Sequence, residues 1–138
     1  MAMHLYHHFD TVENPAFITF WSFIHLLSGI LLYVFISFAE KATAAGTHLP
    51  PWFAVVLAFV IHLFYECKDF FYSYVSEKKP TNSNSLLNSI GDQVCGSLGI
   101  LLAYASIDKT TKRDVLYTSM VYCSTFLIAR ATYSENPD

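Results

Sequence analysis

The run Phe17–Ala39, FITFWSFIHLLSGILLYVFISFA, contains no Asp, Glu, Lys or Arg. A helix needs about 20 mostly apolar residues to cross the hydrocarbon core of a bilayer, and this run supplies them. Pro15 stands just before it, a residue suited to a helix start. A cleaved leader would have a shorter apolar part behind a Lys- or Arg-bearing segment, and no Lys or Arg precedes Phe17. The run therefore reads as a permanent membrane span, and the rest of the chain must be organised around it.

Three further spans follow from the same logic. Pro50 and Pro51 open the second, Trp52 to about Tyr74, which begins WFAVVLAFVIHLFY, passes Glu66, Lys68 and Asp69, and ends in aromatic residues suited to a membrane interface. The segment SEKKPTNSN, Ser76–Asn84, combines charge, Pro, Asn and Ser and reads as a loop. The third span runs from about Ser85 to Ile107. After the charged turn DKTTKR, the fourth runs from Val115 to Ala131, with Arg130 placed to snorkel to the headgroups. Short connections force neighbouring helices to be antiparallel. The expected fold is thus all-α: an integral membrane four-helix bundle, antiparallel, with N and C termini on the same side. Its spans lie at 17–39, 52–74, 85–107 and 115–131 of one transmembrane domain covering 1–138, and its loops near Glu40–Pro51, Ser76–Asn84 and Asp108–Asp114.

Composition agrees. Charged residues make up 14% of the 138, against about 25% in an ordinary soluble domain. The net charge of −3 comes with no basic stripe, so nucleic acid is not an expected partner; membrane lipids are. Lys and Arg are spread too evenly over the loops for the positive-inside bias to set an orientation or name a membrane. Cys67, Cys95 and Cys123 form no CxxC pair and read as buried small hydrophobes.

Each span carries polar or small residues on one helical face. They are Ser22, His25, Gly29 and Tyr33 on the first, and His62, Glu66 and Asp69 on the second. On the third they are Ser85, Asn88, Ser89, Asp92, Gly96, Gly99 and Ala103, and on the fourth Thr118, Tyr122, Thr125 and Ala129. Leu87, Ile90, Val94, Leu98 and Leu101 take the opposite face of the third span, toward lipid. Gly29, Gly96 and Gly99 have a structural role in this scheme, letting helices approach closely. Depth is an independent test. At ~1.5 Å per residue from the side of the termini, His25 and Glu66 lie ~12 Å in, Asp92 ~10 Å and Tyr122 ~14 Å.

Carboxylates at such a depth cost several kcal/mol unless protonated, paired, hydrated or bound to a cation. His25, His62, Glu66, Asp69 and Asp92 offer the N and O donors that a zinc-type divalent metal accepts. His25, Glu66, Asn88 and Asp92 are the candidate ligand-binding residues. No HExxH and no nucleophile motif is present, so no catalytic residue is assigned. A purely structural network, tying helices by hydrogen bonds, uses the same residue types. Taken singly, Tyr122 and Thr125 read as packing, and His4, His7 and His8 as a solvated terminal cluster.

The pattern Trp21-x3-His25-x3-Gly29-x3-Tyr33, then Glu66-x2-Asp69, then Asn88-Ser89-x-Gly91-Asp92 resembles the VanZ-like membrane proteins, and more closely a related family of four-span proteins. The likeness covers about the first three-quarters of the chain. It implies a membrane fold with a shared polar centre and carries no established reaction. Such relatives often have Arg and Gln or Asn after the second-span Glu, and an acid four residues before the Asn; this chain has Asp69 and Asn84 there.

Three functions fit these residues. One is a membrane-embedded site, catalytic or purely binding, for a metal or an amphipathic, lipid-like ligand. Another is proton- or cation-coupled transport by a homo-oligomer. The last is an accessory role in a larger membrane complex, with the polar layer as internal glue.

Overall fold

The structure, a computed structural model, describes residues 4–6, 16–43, 49–75, 85–107 and 111–134. Four helices pack together: α1 Phe20–Thr43, α2 Pro51–Val75, α3 Leu86–Ser106 and α4 Lys112–Ser134. Two short strands, β1 His4–Tyr6 and β2 Ala16–Ile18, pair in parallel, His4 opposite Ala16 and Tyr6 opposite Ile18.

The helix starts follow local chemistry. At α1, Thr19 accepts the Ser22 amide at 3.1 Å while its own amide donates to Ser22 Oγ at 3.0 Å. α2 begins on Pro51, whose missing N–H is no loss in a first turn. Ser85 caps α3 by accepting the Asn88 amide on its hydroxyl at 3.1 Å. At α4, Thr111 and Asp114 form a reciprocal box: the Thr111 amide donates to Asp114 Oδ2 at 2.8 Å, and the Asp114 amide to Thr111 Oγ1 at 3.3 Å.

These caps move boundaries that hydropathy alone had placed elsewhere. Phe17 and Ile18 belong to β2, so the chain is not wholly helical and the first helix starts at Phe20. α1 also continues through Glu40 and Lys41 to Thr43, and α4 starts at Lys112 and runs to Ser134, because a charged residue ends an apolar run without ending a helix.

α1 is the hub, touching α2, α3 and α4; α3 also packs on α2. The α1–α3 pair is parallel, since contacts advance together from Ser22–Asp92 to Gly29–Gly96 and Leu26–Gly99. A Cβ on Gly29 would run into the Gly96 carbonyl, and one on Gly99 into the Leu26 carbonyl, so the two backbones meet directly. α4 runs antiparallel to α1. Trp21 near the start of α1 meets Phe126 at a ring separation of 6.0 Å, which puts the start of α1 and the last turns of α4 at one end. At the opposite end an apolar plug forms from Tyr33, Val34, Ala54, Ala58, Ile100 and Ala103.

The distribution of polarity is inverted relative to a water-soluble domain. Buried positions include Thr19, Ser22, His62, Glu66, Asn88, Ser89 and Asp92, while the buried apolar residues are mostly alanine. Large apolar side chains face outward on every helix, among them Phe35, Phe64, Leu98 and Leu127. Cys67 and Cys123 are on exposed faces rather than buried, since α2 and α4 turn those positions away from α1; Cys95 is half-buried. Among the described residues, two helical stretches, Phe20–Lys41 and Leu86–Ser106, are long and apolar enough to cross a membrane.

Candidate metal centre

Three donor atoms from two helices converge at the polar end. His25 Nδ1 on α1 lies 2.7 Å from Glu66 Oε1 and 3.4 Å from His62 Nε2, both on α2. One donor atom from each of His25, His62 and Glu66 fits within a sphere of mutual separation of 4.8 Å. At bond lengths of 2.0–2.2 Å, two ligands of a tetrahedral zinc ion stand roughly 3.3 Å apart. The spacing therefore suits a small divalent ion.

The outer faces of both imidazoles are held. His62 Nδ1 lies 2.9 Å from Gln93 Oε1 on α3. Gln93 Nε2 in turn donates to Ser97 Oγ at 3.4 Å, and Ser97 Oγ donates to the Gln93 carbonyl at 2.7 Å. The amide thus offers its oxygen to His62, which must donate from Nδ1. That leaves the Nε2 lone pair aimed at Glu66 and His25. On His25 the far nitrogen, Nε2, sits 3.6 Å from Asp92 Oδ2, a charge contact beyond hydrogen-bond reach. Asp92 Oδ1 accepts from Ser22 Oγ at 2.5 Å, so Asp92 is anchored to α1. Carboxylate or amide partners behind ligating imidazoles are the usual outer shell of a metal site, fixing tautomer and ring orientation.

Glu66 is the unsatisfied member. Its side chain is 3% exposed, yet neither carboxylate oxygen has a hydrogen bond among the described residues. The 2.7 Å contact to His25 is an ion pair when that imidazole is protonated, and it engages Oε1 alone. A buried carboxylate without donors is costly unless a charge or a proton meets it.

The sequence-predicted residues divide into four groups. His25, His62 and Glu66 share the cluster. Asp92 stands behind His25, outside the inner set. Asn88 is buried one turn away, where its side-chain amide reaches Thr19 Oγ1 at 3.5 Å and ties α3 to the start of α1. Asp69 lies outside the inner set, with Lys68 Nζ 2.7 Å from its carboxylate on a partly exposed face of α2. Gly96 has a second role besides admitting α1: a Cβ there would run into the His62 ring. His7 and His8 lie outside the described residues.

Gln93 and Thr19 escaped the sequence reading. Gln93 is off the stripe through Asn88, Asp92 and Gly96 because that stripe faces α1, while Gln93 faces α2. Its adjacency to Asp92 on a helix with two packed neighbours was the available signal.

The two histidines of the inner set open onto a cavity of about 490 Å³ between α2 and α4, floored by α1. His25 and His62 line it, and with Tyr65 and Tyr122 they provide most of its polar groups; the rest is largely aliphatic and aromatic.

No family model, curated protein or solved structure matches the chain.

Proposed function

We propose that the chain is a multi-pass integral membrane protein whose His25, His62 and Glu66 hold a divalent metal ion, zinc by preference, within the bilayer. The inverted polarity supports the membrane setting: large apolar groups face out on all four helices, while His62, Glu66 and Asp92 are buried among them. In this reading α2 and α4 cross as well as α1 and α3. The start of α1 and the end of α4 then emerge on one side, and kinship with VanZ-like proteins is part of the same proposal.

One observation carries the metal reading. Two imidazole nitrogens and a carboxylate oxygen converge, while that buried carboxylate has no partner beyond the 2.7 Å approach of His25 to one of its oxygens. A His25–Glu66 ion pair would engage one carboxylate oxygen; a bound cation would engage the carboxylate and both imidazole lone pairs at once. Two His and one Glu is a ligand set of catalytic zinc sites, which keep a fourth position for water or substrate. His25 and His62 line the cavity, which would give such a ligand access to an ion held there. When bound, zinc would act there as a Lewis acid toward an oxygen ligand. The protein's own share is to orient the donors through Gln93 and Asp92 and to exclude bulk water with the apolar plug beyond Tyr33.

The test is elemental analysis of the purified protein, with cobalt substitution. One equivalent of zinc, lost in His25→Ala and His62→Ala variants that keep their helical content, is the expected result. Absence of zinc and of any cobalt spectrum in folded protein would favour a structural network.

A further inference from the structure

The cavity beside the cluster is elongated. Along α1 its lining continues from Trp21 through His25 and Ser28 to Leu32 and Phe35. From His25 to Phe35 this is about 15 Å of helix. The polarity changes once along that path. Imidazoles and the Tyr65 and Tyr122 rings stand at the head, and beyond them the walls are Leu32, Phe35, Ile61 and their neighbours. Ser28 adds little polarity, because its hydroxyl donates to the His25 carbonyl of its own helix at 2.7 Å. Phe35, Ile61, Tyr65 and Phe126 are also exposed on the outer surface, so the cavity opens sideways between α2 and α4 rather than through an end of the bundle.

We propose that this groove takes a single acyl chain ending in a carboxylate, a free fatty acid, with the head at the fourth coordination position of the His25–His62–Glu66 site and the tail toward Phe35. The assignment of the head rests on the metal reading. The chemistry favours this occupant in two ways. A divalent ion held by two neutral imidazoles and one carboxylate would carry a net positive charge in its ligand set, which a carboxylate oxygen complements. A groove that opens sideways onto apolar outer faces admits a molecule already dissolved in the bilayer. Its volume also lies within the range of about 300–1,000 Å³ usual for small-molecule sites.

The experiment uses the full chain in phosphatidylcholine vesicles, a fatty acid carrying a photoreactive diazirine in its tail, and mapping of the labelled peptides. Labelling is expected to concentrate at Leu32, Phe35 and Ile61, to be displaced by excess oleate, and to fall roughly tenfold in Ser119→Phe, which narrows the groove from α4 without touching the cluster. Oleate is also expected to perturb the visible spectrum of cobalt-loaded protein. Even labelling of all outward faces, Leu98 and Leu127 included, overturns the groove while leaving the metal site standing. Saturable groove labelling without any cobalt binding overturns the metal reading and the head assignment together. Groove residues crosslinked to a second copy of the chain would assign the groove to self-association instead.

Discussion

His62 Nδ1 faces Gln93 Oε1 at 2.9 Å, and that single contact decides which nitrogen of His62 is left to act. With Nδ1 committed as a donor, Nε2 presents a lone pair toward His25 and Glu66. Gln93→Leu removes the acceptor and frees the ring to rotate or change tautomer. Cobalt affinity should fall about 10- to 100-fold, the usual cost of deleting a partner behind a metal ligand, with the helical content unchanged. A competitive chelator titration measures it.

Two glycines separate stability from site geometry. Gly29→Ala forces a methyl against the Gly96 carbonyl, which is backbone and cannot step aside; a loss of about 1–3 kcal/mol in unfolding free energy is expected. Gly96→Ala instead presses on the His62 ring. Its larger effect should be on metal affinity, through displacement of Nε2. Thermal unfolding with and without zinc distinguishes the two.

Glu66→Gln should invert the response to metal. In chelator the variant should unfold at or above the temperature of the native chain, since a buried carboxylate with His25 as its one close partner has been replaced by a neutral amide. With zinc at about 100 times its dissociation constant, the native chain should gain about 2.7 kcal/mol and the variant much less. Asp92→Asn should retain binding at reduced affinity. Glu13→Gln, outside the described residues, is the control expected to change neither.

How much of this was legible in the sequence depends on what each residue faces. His25, Glu66 and Asp92 could be brought together by face and depth alone, because α1 and α3 run parallel in close contact and share a register. Asp69 shared the α2 stripe with Glu66, but Lys68 beside it gives that carboxylate a partner on a partly exposed face. Gln93 was invisible because a one-face reading cannot describe a helix packed on two others. The groove was also hidden: equal inward stripes on four helices suggest a closed bundle, whereas α4 rests on α1 and leaves a cavity against α2. Helix ends were misplaced wherever a cap, as at Thr19 or Thr111, outranked hydropathy.

The α4 cap has its own pH signature. Hydrogen bonds from the Thr111 hydroxyl and then its backbone amide hold the Asp114 carboxyl below its ordinary range. A depressed carboxylate stabilises the folded form above its unfolded pKa, and this contribution is lost as pH falls through the folded value. Amide exchange at the start of α4 should therefore accelerate, relative to the intrinsic rate, under acid conditions below the ordinary carboxylate range. In Asp114→Asn that pH dependence should be absent.

The central claim is a divalent ion on His25, His62 and Glu66, and the most direct measurement is the visible spectrum of the purified chain titrated with cobalt. The account predicts one equivalent bound with the intense bands of a four-coordinate site, bleached by zinc, lost in His25→Ala and Glu66→Gln, and weakened as pH falls through the range where imidazoles protonate. A folded protein that gives no such spectrum, or one that survives both substitutions, would contradict it.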